Sequence, residues 1–314
     1  MDTLDPTKLP TELVNLGHKI VDISHSVLRP VLAKRDAKAK IIEATADAEA
    51  SHIRTKGELE DLGMRWFFEE QMKQRCQDEV VAAALDGVGD ERIRSDTPDP
   101  HPDVVRLLLD GAAYVSEVEL QVLWGKTLAG EVREPGSVSR RTISVLRTVD
   151  QHVATIFARF CALACYMTPT EDETIDGRVL ALGGRAGDNA LAAHGLSYNE
   201  LTILSEHGLV VHDFDAWRDY GPCVVPPSLH HPAFPFRHQG QYFVLQRATE
   251  KVATAAPVKF RGPHMTLAGM ELSRVVDAKL FPRYLKELRR FFQSRGFGIN
   301  RVELPSEVEG KRRP

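Results

Sequence analysis

The residue types best suited to bind a metal ion are Cys223, His230, His231 and His238, all in the last third of the chain. Thiolate sulfur and imidazole nitrogen are ligands that Zn²⁺ prefers, but a structural zinc site draws paired ligands at short spacing from two elements. These four residues lack that spacing. The proline-rich surroundings of His230 also favour exposed histidines. The sequence therefore predicts no metal and no cofactor, and an enzyme that uses this histidine-rich loop stays an alternative.

A second group of residues that could bind a ligand is Glu131, Arg140 and Arg141, which flank Pro135-Gly136. Backbone N–H groups at a helix start can hold an anion. An ion pair that braces the corner explains the three residues more simply. The sequence contains no Gly-x-Ser-x-Gly, His-Glu-x-x-His or kinase motif set. It therefore predicts no catalytic residues, and a non-enzymatic role is expected.

The block around Glu131 is predicted to form two helices joined by a tight corner. Ser116 and Glu119 have capping-box spacing, and Trp124 lies on the apolar face of the helix that follows. Pro135-Gly136 ends that helix. We treat ten residues as a structural signature, with Trp124 in the core: Ser116, Glu119, Trp124, Gly130, Glu131, Pro135, Gly136, Ser139, Arg141 and Thr142.

The signature carries a family resemblance. The run Leu120-Gln-Val-Leu-Trp-Gly-Lys-Thr-Leu-Ala-Gly-Glu131, followed by Pro135-Gly-Ser-Val-Ser-Arg-Arg-Thr142, resembles the signature of bacterial domain-of-unknown-function family 2806. The resemblance implies a long N-terminal helical region and covers most of the chain, but it implies no activity. A weaker similarity to abortive-infection alpha-type proteins implies a role in anti-phage defence.

Composition and charge exclude several classes of protein. The chain is 43% hydrophobic and 27% charged with a net charge of −4, which gives no general attraction to nucleic acid or anionic lipid. No apolar run approaches the roughly 18 residues of a membrane span. The first residues lack a signal-peptide pattern, and four cysteines are few for a disulfide-rich secreted fold. The sequence predicts a cytoplasmic protein with reduced thiols.

Four regions are predicted, and the fold class is mainly α. Residues 1–86 form an N-terminal helical, coiled-coil-like region, and the proline-rich residues 87–103 form a linker. Residues 104–167 form a compact helical signature core. Residues 168–314 form a small α+β unit that is similar to winged-helix proteins.

The winged-helix similarity comes from the order of elements in the last region. A helix that begins at the capping box Ser197–Glu200 is followed by strands at 209–211, 241–245 and 258–260, and then by a helix from Thr266. The helix that would read DNA, residues 198–207, has two glutamates and neither lysine nor arginine, which disfavours DNA binding. Basic residues concentrate beyond Arg283, where a solvated helix face explains them most simply.

Self-association is predicted for the long N-terminal helix. Residues 31–86 contain no proline, and Leu59, Leu62, Trp66 and Phe67 concentrate apolar area toward the second half of this stretch. A single helix cannot bury these side chains against itself, so another helix or a second copy must cover them. A hairpin at Gly57 and Gly63 is the competing arrangement.

Three functions follow from these observations. The favoured one is a non-enzymatic protein that forms homo-oligomers, binds a protein partner and acts in anti-phage defence. The alternatives are a winged-helix DNA-binding regulator and an uncharacterised enzyme.

Overall fold

The protein is described by a computed structural model that covers residues 56–87, 98–167, 176–225, 233–248, 257–278 and 280–303, with the backbone alone for 56–61. Contacts within the chain divide it into two units, with the boundary between Arg147 and Thr148. That boundary falls inside residues 104–167, the range predicted as one helical core. No helix in the described part of the chain is both long enough and apolar enough to span a membrane.

The described part of the first unit is helical. Its helices are α1 (Lys56–Gly87), α2 (Pro102–Ala112), α3 (Val118–Arg133) and α4 (Arg140–Leu146). Apolar side chains at helical spacing form its core, which holds Cys76, Val80, Ala84, Val105, Leu108, Leu109, Ala112, Leu120, Trp124, Leu128, Ala129, Val132, Val138, Ile143, Val145 and Leu146.

The second half of α1 packs closely against α3. A Cβ atom at Gly125 would lie 2.7 Å from the backbone nitrogen of Ala84, so only glycine permits this approach. The Gln77 amide donates a hydrogen bond to the Leu109 carbonyl of α2 at 2.9 Å. α1 is continuous through Gly63, so no hairpin forms at that glycine. Residues 31–55 of the predicted helix lie outside the described residues.

In its described residues, the second unit combines four α-helices with a large sheet. The helices are α5 (Gln151–Leu163), α6 (Tyr198–Glu206), α7 (Leu267–Ser273) and α8 (Pro282–Ser294). The strands are β1 (Cys165–Met167), β2 (Asp176–Arg178), β3 (Val210–Val211), β4 (Trp217–Asp219), β5 (Phe236–His238), β6 (Gln241–Arg247), β7 (Lys259–Arg261), β8 (His264–Met265) and β9 (Phe297–Val302).

Seven of these strands form one antiparallel sheet in the order β3–β8–β2–β1–β5–β6–β9, while β4 and β7 form a separate two-stranded ribbon. α8 and the ribbon contribute to the same core as the sheet. Phe260 of β7 stacks on Tyr220 with ring centroids 3.7 Å apart, and its ring centroid lies 4.8 Å from that of Phe292 on α8. Phe243, Leu245 and Ile299 of the sheet belong to this core.

The predicted fold class, mainly α with a small C-terminal winged-helix-like unit, is wrong. The seven-stranded sheet is the main element of the second unit. Most of its strands have two or three residues, too few to show the alternation that marks a strand in a sequence. β1 follows the apolar stripe of α5 after one residue, and β2 reads Asp-Gly-Arg, which has no strand pattern.

The observed pairing of the strands differs from that of a winged helix. The sequence correctly indicated strands at β3, β6 and β7, and the reciprocal capping box of Ser197 and Glu200 is present at the start of α6. A wing requires the last two of these strands to pair as a hairpin. Instead β6 pairs with β5 and β9, and β7 pairs with β4. The order of elements along a chain does not determine which strands are neighbours.

Candidate interaction site

The first half of α1 carries large apolar side chains that are exposed to solvent. All eight residues from 62 to 69 are exposed. Within residues 62–72, which we call the apolar segment, the exposed large side chains are Leu62 (61%), Met64 (55%), Trp66 (40%), Phe67 (50%), Phe68 (56%) and Met72 (57%). Monomeric proteins rarely expose so many large apolar groups together, and such patches mark interaction sites.

These side chains surround the helix and do not form a stripe. With 3.6 residues per turn, Trp66, Phe67 and Phe68 point in three directions about 100° apart. A helix that is apolar on all sides is normally buried on all sides. The sequence prediction named Leu62, Trp66 and Phe67, together with Leu59, whose side chain is not described. It missed Met64, Phe68 and Met72 because it sought a single apolar face.

The apolar segment is held on a rigid base. From Cys76 onward α1 is packed into the first unit, with Gln77 2% exposed, Val80 1% and Ala84 fully buried. A groove runs along α1 from Trp66 to Ala82, and the described residues that line it all belong to α1. The fixed second half therefore orients the exposed first half.

The signature corner is built around the carboxylate of Glu131, which is 1% exposed. It accepts hydrogen bonds from the backbone N–H groups of Gly136 at 2.9 Å and Val138 at 3.0 Å, and from the Ser137 hydroxyl at 3.4 Å. Burial raises the pKa of Glu131, while these hydrogen bonds oppose that shift. Because Glu131 occupies the N–H groups of the corner, an anion cannot use them.

Other signature residues position the corner or lie on its surface. Gly136 has φ +90°, a left-handed conformation that glycine adopts without strain. Ser139 caps α4 by accepting a hydrogen bond from the Thr142 N–H at 3.2 Å. Arg140 lies 3.4 Å from Asp103, so backbone hydrogen bonds rather than an ion pair of Glu131 brace the corner. Arg141 is exposed, whereas Pro135 and Gly130 are half-buried.

The N-terminus of α3 differs from the predicted capping box. The N-cap is Glu117 and makes no capping hydrogen bond through its side chain, while Ser116 and Glu119 are exposed. Trp124 of α3 is 2% exposed and lies against Gly111 of α2, where a Cβ atom would overlap the indole ring.

A buried polar network in the second unit was not found by sequence reasoning. Arg178 donates two hydrogen bonds to the carboxylate of Asp176, at 2.6 and 3.0 Å. It also donates to the carbonyls of Ala216 at 2.8 Å and Phe260 at 3.3 Å, and the Tyr220 hydroxyl lies 3.0 Å from Asp176. The Arg178 and Asp176 side chains are only 3% and 5% exposed. This network ties the sheet to the ribbon.

Within the described residues, the candidate metal ligands do not form a metal site. His230 and His231 lie outside the described residues. Burial raises the pKa of Cys223 to about 12, so its thiol keeps its proton at neutral pH. Within the described ranges, no group of three or more histidine, cysteine, aspartate or glutamate side chains could hold a metal ion.

His238 gives the second unit a testable pH dependence. The side chain is fully buried, Nδ1 lies 3.0 Å from the Ala164 carbonyl, and Nε2 has no hydrogen-bond partner among the described residues. Burial lowers the pKa of His238 below its ordinary value of 6.5. The unfolded chain therefore takes up a proton as the pH falls below 6.5, and the folded chain takes it up only at lower pH. Stability is retained above that pH and falls below it.

We expect His238→Asn to flatten the acid side of the stability profile by up to about 1.4 kcal/mol per pH unit, the contribution of one proton. Chemical denaturation between pH 5 and pH 8 measures this slope. Exposed His152→Asn is the matched control and should leave the slope unchanged. Burial also lowers the pKa values of His212 and His264, so part of the slope should remain. Equal slopes for wild type and His238→Asn would contradict the assignment.

Comparison with known proteins supports the resemblance carried by the signature. The family described as protein of unknown function (DUF2806) matches residues 62–289, more than two thirds of the chain. No curated protein and no solved structure gave a significant match. The similarity to abortive-infection proteins found no support in these comparisons.

Proposed function

The chain belongs to the DUF2806 family, and from that premise we propose that it is a non-enzymatic interaction protein that self-associates through the apolar segment of α1. The observation that carries the proposal is the exposure of six large apolar side chains on a helix whose other half is buried. The occupant that we propose for this segment is a second copy of the chain.

The size of the exposed surface supports this occupant. Large side chains bury about 150–250 Å² each, so six that are about half exposed offer on the order of 600 Å². A stable interface buries about 800 Å² per partner. Two copies that paired through residues 62–72 would approach that area, and contacts at the edge of the segment would supply the rest.

The distribution of apolar groups around α1 supports pairing of helices over docking on a flat surface. A flat partner covers one side of a helix and leaves the opposite side in water. A second α1, crossing with its own Trp66, Phe67 and Phe68, can interdigitate with the first on more than one side. A two-fold axis makes such a contact self-complementary.

We expect the double variant Phe67→Gln/Phe68→Gln to be monomeric under conditions in which the wild type forms oligomers. The side chains are 50% and 56% exposed, so their replacement removes association energy without opening a cavity in the first unit. Light scattering with size-exclusion chromatography, from 1 to about 100 µM, measures the masses. The melting temperature of the wild type should rise with concentration, and that of the variant should not.

The matched control is Leu267→Gln, which removes an apolar side chain that is 84% exposed at the start of α7 in the second unit. This variant should associate like the wild type. A wild-type chain that is monomeric at 100 µM would overturn the proposal, as would equal oligomers of wild type and double variant. The experiment uses the full chain, because a truncation that removed α1 would also remove the buried residues Cys76, Val80 and Ala84.

The biological setting is a separate part of the proposal. A role in anti-phage defence remains a prediction, and phage plating on cells that express the wild type or Phe67→Gln/Phe68→Gln tests it. Protection by the wild type that the double variant loses would link defence to association.

A further inference from the structure

The exposed side of α8 and the adjoining strand β9 carry an excess of positive charge. Residues 282–303 contain six arginine or lysine residues and two glutamates, a net charge of +4 in a chain whose total is −4. The exposed cations that we call the basic face are Lys286, Arg289, Arg290, Arg295 and Arg301.

Glu287 does little to neutralise this face. Burial alone would raise the pKa of Glu287, but the hydrogen bond from Arg283 at 3.2 Å and the neighbouring His194 at 3.0 Å lower it. Glu287 is therefore an ionised partner of Arg283. Among the described residues, Lys286, Arg289 and Arg290 have no ion-pair or hydrogen-bond partner through their side chains.

A solvated helix face normally mixes charges of both signs, as α1 does with Glu70 and Lys73 at 4.0 Å. α8 follows that pattern only at Arg283 and Glu287, because adjacent Arg289 and Arg290 repeat one charge beside Lys286. A field of single sign favours a partner of the opposite sign. From Lys286 to Arg295 the cations of the basic face extend over about 14 Å at 1.5 Å per residue.

The opposite side of α8 excludes insertion into a membrane. Tyr284 and Leu288 are fully buried and Phe292 is 2% exposed, all within the core of the second unit. An amphipathic helix binds a bilayer by burying its apolar side in lipid, and here that side is already in use. The exposed side offers mainly guanidinium and ammonium groups, with Arg295 lying over the ring of Phe291 at 4.3 Å.

We propose that the basic face binds the phosphate backbone of duplex DNA without reading its sequence. Arginine donors match phosphate oxygens in a bidentate geometry, and the row of cations lies beside a duplex that presents one phosphate charge per about 1.7 Å of its axis. Binding of single strands relies on exposed aromatic rings on which bases stack. Arg295 covers Phe291, the aromatic ring beside this face, so the duplex is the better match. α6, the helix with the acidic face, takes no part in this contact.

Fluorescence anisotropy with a labelled 20-base-pair duplex tests the proposal with the full chain. We expect binding at 50 mM salt that weakens steeply as salt is raised, and we expect Lys286→Gln/Arg289→Gln/Arg290→Gln to weaken it more than tenfold. Removal of three phosphate contacts should reduce the slope of log K against log salt by about 3. Arg289→Lys/Arg290→Lys keeps the charge and should retain most of the affinity.

The matched control removes the same charge from exposed positions of the first unit, as Arg75→Gln/Arg106→Gln/Arg141→Gln. It should bind the duplex like the wild type. Equal weakening in the two triple variants would show a general charge effect and overturn the proposal. So would absence of duplex binding at 50 mM salt, tighter binding to a single strand, or binding only to vesicles that contain phosphatidylserine. The altered side chains are exposed, and circular dichroism checks that the fold is retained.

Discussion

Replacement of Asp176 by alanine is expected to lower the free energy of unfolding of the second unit by about 3–5 kcal/mol. The substitution leaves Arg178 charged and 97% buried without its counterion, because only 3% of its side chain is exposed. The carbonyls of Ala216 and Phe260 still accept hydrogen bonds from Arg178, but they carry no full charge. Urea denaturation followed by circular dichroism measures the loss.

A double substitution separates the cost of an unpaired charge from the worth of the pair. Asp176→Leu/Arg178→Met removes both charges together, and buried ion pairs replaced by apolar residues often cost little stability. We expect the double variant to be more stable than Asp176→Ala. A double variant that is less stable would show that the hydrogen bonds of Arg178 to the backbone matter more than its charge.

The matched control is Asp103→Ala in the first unit. Asp103 lies 3.4 Å from Arg140, but the two side chains are 50% and 67% exposed, so water screens the pair. Exposed pairs contribute about 0–1 kcal/mol. Similar losses for Asp176→Ala and Asp103→Ala would contradict the importance that we assign to the buried network.

The features predicted well from the sequence are those set by local interactions. Ser197 was recognised as a helix cap because a hydroxyl three residues before a free N–H group suffices to mark it. The strand β6 was recognised from five consecutive residues that include Tyr242, Phe243 and Val244. Neither kind of signal depends on which distant segment lies alongside.

Features that depend on distant contacts were missed. Asp176 and Arg178 lie two residues apart on a strand of three residues, and nothing local shows that the pair is buried. Their burial comes from β1, β8 and the ribbon, and β8 and the ribbon are distant from β2 in the sequence. The predicted cap at Ser116 failed because the helix begins one residue later than the spacing indicated.

The apolar segment was only partly predictable, because its exposure also depends on contacts between distant parts of the chain. Leu62, Trp66 and Phe67 attract notice as large apolar groups in an alanine-rich and charged helix. The sequence does not show that these side chains are exposed, or that Phe68 belongs with them on another side of the helix. Both depend on how much of α1 is packed into the first unit. The basic residues of α8 were visible in the sequence, but the burial of Tyr284 and Phe292 was needed to distinguish a polyanion surface from a membrane-binding helix.

Trp124→Ala should destabilise the first unit by about 3–5 kcal/mol, the range for truncation of a buried tryptophan. The ring is 2% exposed and fills the space that Gly111 leaves without a side chain. α2 and α3 would lose this contact together, and the cavity between them could not close without moving Gly111. Trp124→Phe retains part of the ring and should lose less.

Trp217→Ala is the control for this prediction, since Trp217 is 46% exposed and makes a cation–π contact with Lys259 at 4.1 Å. Exposed cation–π contacts contribute about 0.5–1 kcal/mol, so its loss should stay near that value. Calorimetry of the three variants gives the comparison directly. A loss below about 1 kcal/mol for Trp124→Ala would mean that the signature tryptophan does not hold α2 against α3. Its place in the signature would then need an explanation in binding rather than in packing.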